Sequence, residues 1–171
     1  TYSDTDAVGT WTDEQGVEDL VAGSAAVFDA VDAAFGDSAA IQFDAGDYLV
    51  HGSGLPTACS GVVMVFRSHD ATATNRFSDS QLSGGRWIMG TFANVWQIFY
   101  GSNASQTVVA DEDPHLGVWH QSGAGDYMNL EGVDVDTRAD RGLGLIGQMR
   151  FGQTGSHLGF SLAFLGLYDG D

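Results

Sequence analysis

Short apolar runs cut off by glycine recur along the whole 171-residue chain, which carries 24 glycines and only two prolines. Glycine weakens a helix interior by roughly 1 kcal/mol relative to alanine, so this punctuation disfavours long helices and suits strands joined by tight turns. Gly61-Val62-Val63-Met64-Val65-Phe66 reads as a strand buried on both faces. Arg86 to Met89 and Val95 to Tyr100 read as a pair, with the turn at Gly90 to Asn94. His115 to Gln121 reads as a strand with Leu116, Val118 and His120 on one side, and Trp119 and Gln121 on the other. Asp126 to Leu130 continues it, and Gly132 ends it. Met149-Arg150-Phe151 and Ser161 to Tyr168 supply the last strands. One segment argues for helix: Ala25 to Phe35 places Val27, Phe28, Val31 and Phe35 at helical spacing among alanines. The pattern predicts an all-β, two-sheet antiparallel sandwich forming a single domain over residues 1–171.

Charge narrows the setting rather than the fold. Lysine is absent, the six basic residues are Arg67, Arg76, Arg86, Arg138, Arg141 and Arg150, and 23 acidic residues bring the net charge to -17. Such an imbalance opposes compaction in dilute buffer. At roughly 1 M salt the Debye length shrinks to about 3 Å and the repulsion is screened. A lysine-free, aspartate-rich surface therefore predicts a protein of brine, from an extreme halophile or a virus that infects one. Isolated arginines cannot neutralise successive phosphates, which argues against nucleic acid as a partner. No apolar stretch approaches the ~20 residues of a membrane-spanning helix. Cys59 is the lone cysteine, so no internal disulfide forms, and its neighbours read as those of a small buried residue.

Four segments, in order, resemble the laminin-G-like, concanavalin A-like jelly-roll family in its bacterial and phage forms. Val8-Gly9-Thr10-Trp11-Thr12-Asp13-Glu14-Gln15-Gly16 resembles the opening segment. Ala40 to Leu49 is similar to the second, Asp44, Gly46 and Asp47 suiting a tight connection that returns Phe43 and Leu49 to the core, and Pro56 follows. Gly61 to Arg67 resembles an inner strand, while Arg150-Phe151-Gly152 and Phe160 to Asp169 resemble the closing strands. The family's usual hairpin appears only as Met128-Asn129-Leu130-Glu131-Gly132, and Leu165 stands where an acidic residue is usual. The resemblance implies a jelly roll, and a place to look for calcium at the sandwich rim.

Chemistry-bearing patterns are sparse. Sugar hydrolases that share the resembled fold carry a Glu-x-Asp-x-x-Glu strand, and retaining chemistry needs carboxylates about 5–5.5 Å apart. The four glutamates, Glu14, Glu18, Glu112 and Glu131, do not form that spacing. No Gly-x-Ser-x-Gly elbow or phosphate-binding loop is present, and the five histidines are dispersed. The sequence therefore predicts no enzyme. Calcium ligands are predicted at Asp44 and Asp47 in one loop and Asp111 and Asp113 in another, although composition alone also generates paired aspartates in so acidic a chain. A ligand-binding face is predicted at Trp119 and Gln121 with Trp96 and Tyr100, a ring-and-amide surface for a sugar or a protein. The alternative is that Trp119 packs under a loop or a second sheet layer.

These readings combine into a non-catalytic binding or assembly module outside the cell. The leading version is an external virion protein of a haloarchaeal virus, such as a turret, decoration or tail appendage. Its expected partners are other virion or surface proteins, including further copies of itself, and host surface glycans. The alternative is a carbohydrate-binding adhesion module on a halophilic cell surface. A sugar-cleaving enzyme requires a carboxylate pair assembled from separate strands.

Overall fold

Consecutive residues in the left-handed backbone region set the tightest turns. Ala93 and Asn94 (φ 50° and 70°) join β7 (Gly85–Phe92) to β8 (Val95–Tyr100). Glu131 and Gly132 (φ 51° and 86°) join β10 (Gly125–Leu130) to β11 (Val133–Arg138). Two consecutive positive-φ residues match the right-handed twist of the flanking strands, so each hairpin closes in two residues. The computed structural model describes residues 3–12, 19–44, 46–51, 59–72, 75–82, 85–100, 108–122, 125–138, 146–148, 150–152 and 159–169.

Among the described residues every strand pairing is antiparallel. The remaining strands are β1 (Ala7–Trp11), β2 (Leu20–Asp32), β3 (Ser38–Phe43), β4 (Tyr48–His51), β5 (Cys59–Ser68), β6 (Asn75–Leu82), β9 (His115–Ser122), β12 (Ile146–Gln148), β13 (Arg150–Gly152) and β14 (Phe160–Asp169). The hydrogen-bonded order is β11-β10-β9-β5-β14-β3-β2-β4-β13-β6-β7-β8, with β1 beside β2 and β12 beside β6. The path folds over at β2, whose later residues pair with β3 and whose earlier ones pair with β4. Two layers result, and β11 comes back against β8 on the far side. This is a two-sheet antiparallel jelly-roll sandwich, as the sequence predicts.

The layers meet through aromatic rings. Phe66 of β5 lies 5.0 Å from Phe77 of β6 and 5.5 Å from Trp96 of β8, the latter edge-on at 86°. Phe160 of β14 is 5.1 Å from Phe77 and stacks on Phe43 of β3 at 4.4 Å. Burying each such side chain contributes roughly 1.5–3 kcal/mol, so this cluster is a main source of cohesion between the sheets. Phe43 and Leu49 both return to the core, as their motif predicts.

Three local expectations are corrected. Ala25 to Asp32 belongs to β2 rather than to a helix, and only Ala33–Phe35 forms a single 3-10 turn, capped by Asp32 Oδ1 accepting from Ala34 N at 2.9 Å. Pairing on both edges with β1, β3 and β4 supplies the tertiary contacts that select the strand, whereas a helix this short is marginal in water on its own. Asp126 to Leu130 does not prolong β9 but folds back on it as β10. The Gly61–Phe66 run is buried on one face only: Val62, Met64 and Phe66 are fully covered, while Val63 and Val65 are half-buried. Among the described residues, no helix is long and apolar enough to cross a membrane.

Candidate functional site

That half-covered face of β5 continues across its neighbours. Directly opposed residues of antiparallel strands share a face. Val63 therefore lies in a row with Val118 of β9 and Gly166 of β14, and Val65 in a row with Leu116 and Phe164. Arg67 is in register with Ser161, which is in register with Gln42 of β3 and, through it, Val27 of β2. Leu116 is 47% exposed and Phe164 is 50% exposed. An apolar floor of Val63, Val65, Leu116, Val118 and Phe164 thus lies partly open on the outer side of the β9-β5-β14 layer.

Polar pairs border the floor on both sides. On the β3 side, Gln42 Nε2 donates to Asp29 Oδ2 at 2.7 Å, and Asp29 Oδ1 accepts from Val31 N at 3.1 Å. On the β10 side, Asn129 Nδ2 donates to Asp134 Oδ1 at 2.9 Å, and Asn129 Oδ1 accepts from Gly132 N at 2.7 Å. Arg67 is tied at one end, its Nε donating to the Glu112 carbonyl at 3.0 Å. Ser161 is fully buried and shares a 2.8 Å hydrogen bond with His69 Nε2. Burial holds the His69 pKa below the usual imidazole value, Arg67 adds to that, and Asp44, Asp32 and Glu112 oppose it.

A second cluster sits at the rim. Asp111 Oδ1 lies 2.6 Å from His115 Nε2, and Glu131 Oε1 lies 3.5 Å from His115 Nδ1. The imidazole is 13% exposed and meets the Trp96 ring edge-on at 5.2 Å. Two carboxylates from separate elements are thereby brought together, but the imidazole fills the space between them that a glycosidic bond would need. The cluster instead ties the loop before β9 to the β10–β11 turn.

The predicted site residues separate. Trp96 is 1% exposed between the sheets and is corrected from ligand platform to core residue. Its strand presents position 96 inward, where Phe66 and Phe77 pack on it. The side chains of Trp119, Gln121 and Tyr100 lie outside the described ones. Their backbones are placed, position 119 opposite Val62 and position 121 opposite Asp126. The alternation predicted for β9 holds where it is described, with Leu116 and Val118 on one side, but that side is the open one: Leu116 faces out, and Gly117 is buried opposite Met64. Phe164, Leu116, Gln42 and Asn129 give no site signal in the sequence because each reads as ordinary strand sequence; the one available signal is a large ring at an alternation position inside β14.

The aspartate pairs lie in two loops, as predicted. Asp47 Oδ2 accepts from Asp44 N at 3.0 Å and its Oδ1 from Ser24 Oγ at 3.3 Å. Asp111 Oδ1 accepts from Asp113 N at 3.0 Å as well as facing His115. Calcium needs six to eight converging oxygens. Among the described residues no group of three or more His, Cys, Asp or Glu side chains is placed to hold a metal ion.

No family model matches this sequence, and no curated protein does. Among solved structures, a mutant of Trypanosoma rangeli sialidase displaying trans-sialidase activity is similar in fold, with a TM-score of 0.70 and 13% identity over 96% of this chain and 30% of that one. An alginate lyase of polysaccharide lyase family 7 is similar at a TM-score of 0.51 and 8% identity, over 98% of this chain and 85% of that one. A further sialidase gives 0.50 and 11%, over 98% of this chain and 19% of that one. The chain thus spans less than a third of either sialidase. At these identities the likeness establishes the fold, a concanavalin A-like jelly-roll β-sandwich. The expectation that the chain is no enzyme is corrected by the same finding, because this architecture is shared with sialidases and a lyase and cannot serve to exclude catalysis.

Proposed function

We propose that the chain is a carbohydrate-binding β-sandwich whose ligand lies on the outer face of β9, β5, β14 and β3. The half-exposed Phe164 ring, set in an aliphatic floor and bordered by amide–carboxylate pairs, carries this reading. The apolar face of a sugar ring stacks on such a floor, while its hydroxyls exchange hydrogen bonds with amides and carboxylates. The fold's occurrence in sialidases and an alginate lyase supports a carbohydrate ligand. Kinship with laminin-G-like domains, adaptation to brine and a place on a virion or cell surface belong to the same proposal. The test is retention of the full chain on immobilised halophile envelope glycans in roughly 3 M KCl, where exposed charges are screened. Phe164→Ala should lose retention while staying folded; unchanged retention overturns the reading.

A second reading draws on the apolar character of the strip, since Leu116 and Phe164 are the large exposed residues on it. The same face would seat a neighbouring subunit of a virion surface, burying on the order of 1,200 Å² or more. A defined oligomer at high salt that dissociates on Phe164→Asp would favour it, and a monomer would dismiss it.

A further inference from the structure

The two polar borders of the floor have the same construction, an amide donating to a carboxylate, and they stand on strands four spacings apart. Neighbouring strands lie about 4.8 Å apart, so β10 and β3 are separated by about 19 Å across β9, β5 and β14, and the two pairs are also offset along the strands, Asn129 in the row of Val63 and Gln42 in the row of Arg67. Each internal bond uses one amide hydrogen and one carboxylate oxygen; the other amide hydrogen and the spare lone pairs of the pair can still engage hydroxyls. The charges around the floor are unequal. Among the described residues, Asp29 and Asp134 lie in the borders and Asp44, Asp111, Glu112, Asp113 and Glu131 lie on flanking loops and turns. Arg67 is the cation among them, and its Nε is already committed to the Glu112 carbonyl. An acidic sugar would meet a predominantly negative surround, whereas neutral hydroxyls, which donate as well as accept, match acceptor-rich borders.

We infer that the ligand is an uncharged oligosaccharide several rings long, laid across the strands, with Gln42–Asp29 and Asn129–Asp134 holding hydroxyls at its two ends. The inference rests on the glycan-binding reading above. Phe164 and the valines beneath supply stacking, and the border carboxylates exclude polyanionic chains.

The experiment is calorimetric titration of the full chain with a neutral hexose hexamer series (gluco- and manno-oligosaccharides) and with oligoguluronate of the same length, at roughly 2 M and 0.2 M KCl. A neutral hexamer should bind, and oligoguluronate should bind at least about tenfold more weakly, with the gap widening at low salt. Gln42→Ala and Asn129→Ala should each weaken neutral-hexamer binding about tenfold, the effect of losing a hydrogen bond in a charge-assisted pair. Arg67→Gln should leave it within about twofold. Oligoguluronate binding as tightly as the neutral hexamers, and lost with Arg67→Gln, overturns the neutral-ligand inference and leaves the glycan reading standing. Neutral binding untouched by both border substitutions but lost with Phe164→Ala overturns the clamps. No binding of either class sinks both.

Discussion

The ring of Phe164 lies over Gly166: a Cβ built at Gly166 would sit 3.3 Å from Phe164 Cε1 and 3.8 Å from the Val63 Cβ. Glycine at this position lets an exposed aromatic ring lie flat on the outer face instead of standing away from it. Gly166→Ala should therefore tilt a ring that is free to move on its solvent side, leave the unfolding midpoint nearly unchanged, and weaken glycan retention several-fold. Retention and thermal unfolding measured on one preparation separate the two effects.

On the opposite face of the same layer the geometry has the reverse consequence. A Cβ at Gly117 would come within 2.7 Å of Phe66 Cε1 and 3.3 Å of Leu130 Cδ2. Phe66 is fully buried among Phe77, Trp96 and His115, so it has no solvent side to yield into. Gly117→Ala should destabilise the fold by about 1–3 kcal/mol through overpacking, as read from denaturant midpoints at constant salt.

The stability of the fold should depend on pH through His69. Its folded pKa lies below the ordinary value of 6.5, so between the two values the unfolded chain binds more protons than the folded one. Stability from this group is then fully present above about pH 6.5 and declines as pH falls toward the folded pKa. His69→Gln, which keeps a hydrogen-bonding partner for Ser161, should flatten that part of the profile. Urea midpoints from pH 5 to 8 for both proteins, compared by difference, cancel the other histidines; a profile unchanged by the substitution refutes the assignment.

At the rim, the charges and the ring should contribute unequally. The Asp111 side chain is half-exposed, so Asp111→Asn should cost less than about 1 kcal/mol, and high salt should shrink that further. His115→Ala removes a buried ring packed on Trp96 and should cost more, about 1–3 kcal/mol. Equal losses at the two positions would mean that the ion pairs, not the packing, hold the loop.

Much of this architecture is legible without coordinates because strand periodicity and turn chemistry are local. Gly132 marks a real hairpin, Phe43 and Leu49 go inward, and the spacing of apolar runs by glycine yields antiparallel strands. The errors fall where a residue's environment is decided by chain far away in sequence. Ala25 to Asp32 carries apolar residues at both helical and strand spacing, and only its partners β1, β3 and β4 select the strand. Trp96 has the composition of a sugar platform and the position of a core residue.

What the sequence by itself determined was the class of fold, through alternation and glycine turns, and the excess of negative charge, through composition. Only the tertiary structure decided which side of each strand faces the second layer. Alternation defines two faces but not which one is covered, and one layer's choice depends on where the other folds over at β2. That choice turned Trp96 inward and Phe164 outward, and it brought Gln42, Val63, Leu116 and Asn129, spread over almost 90 residues of sequence, onto a single open surface.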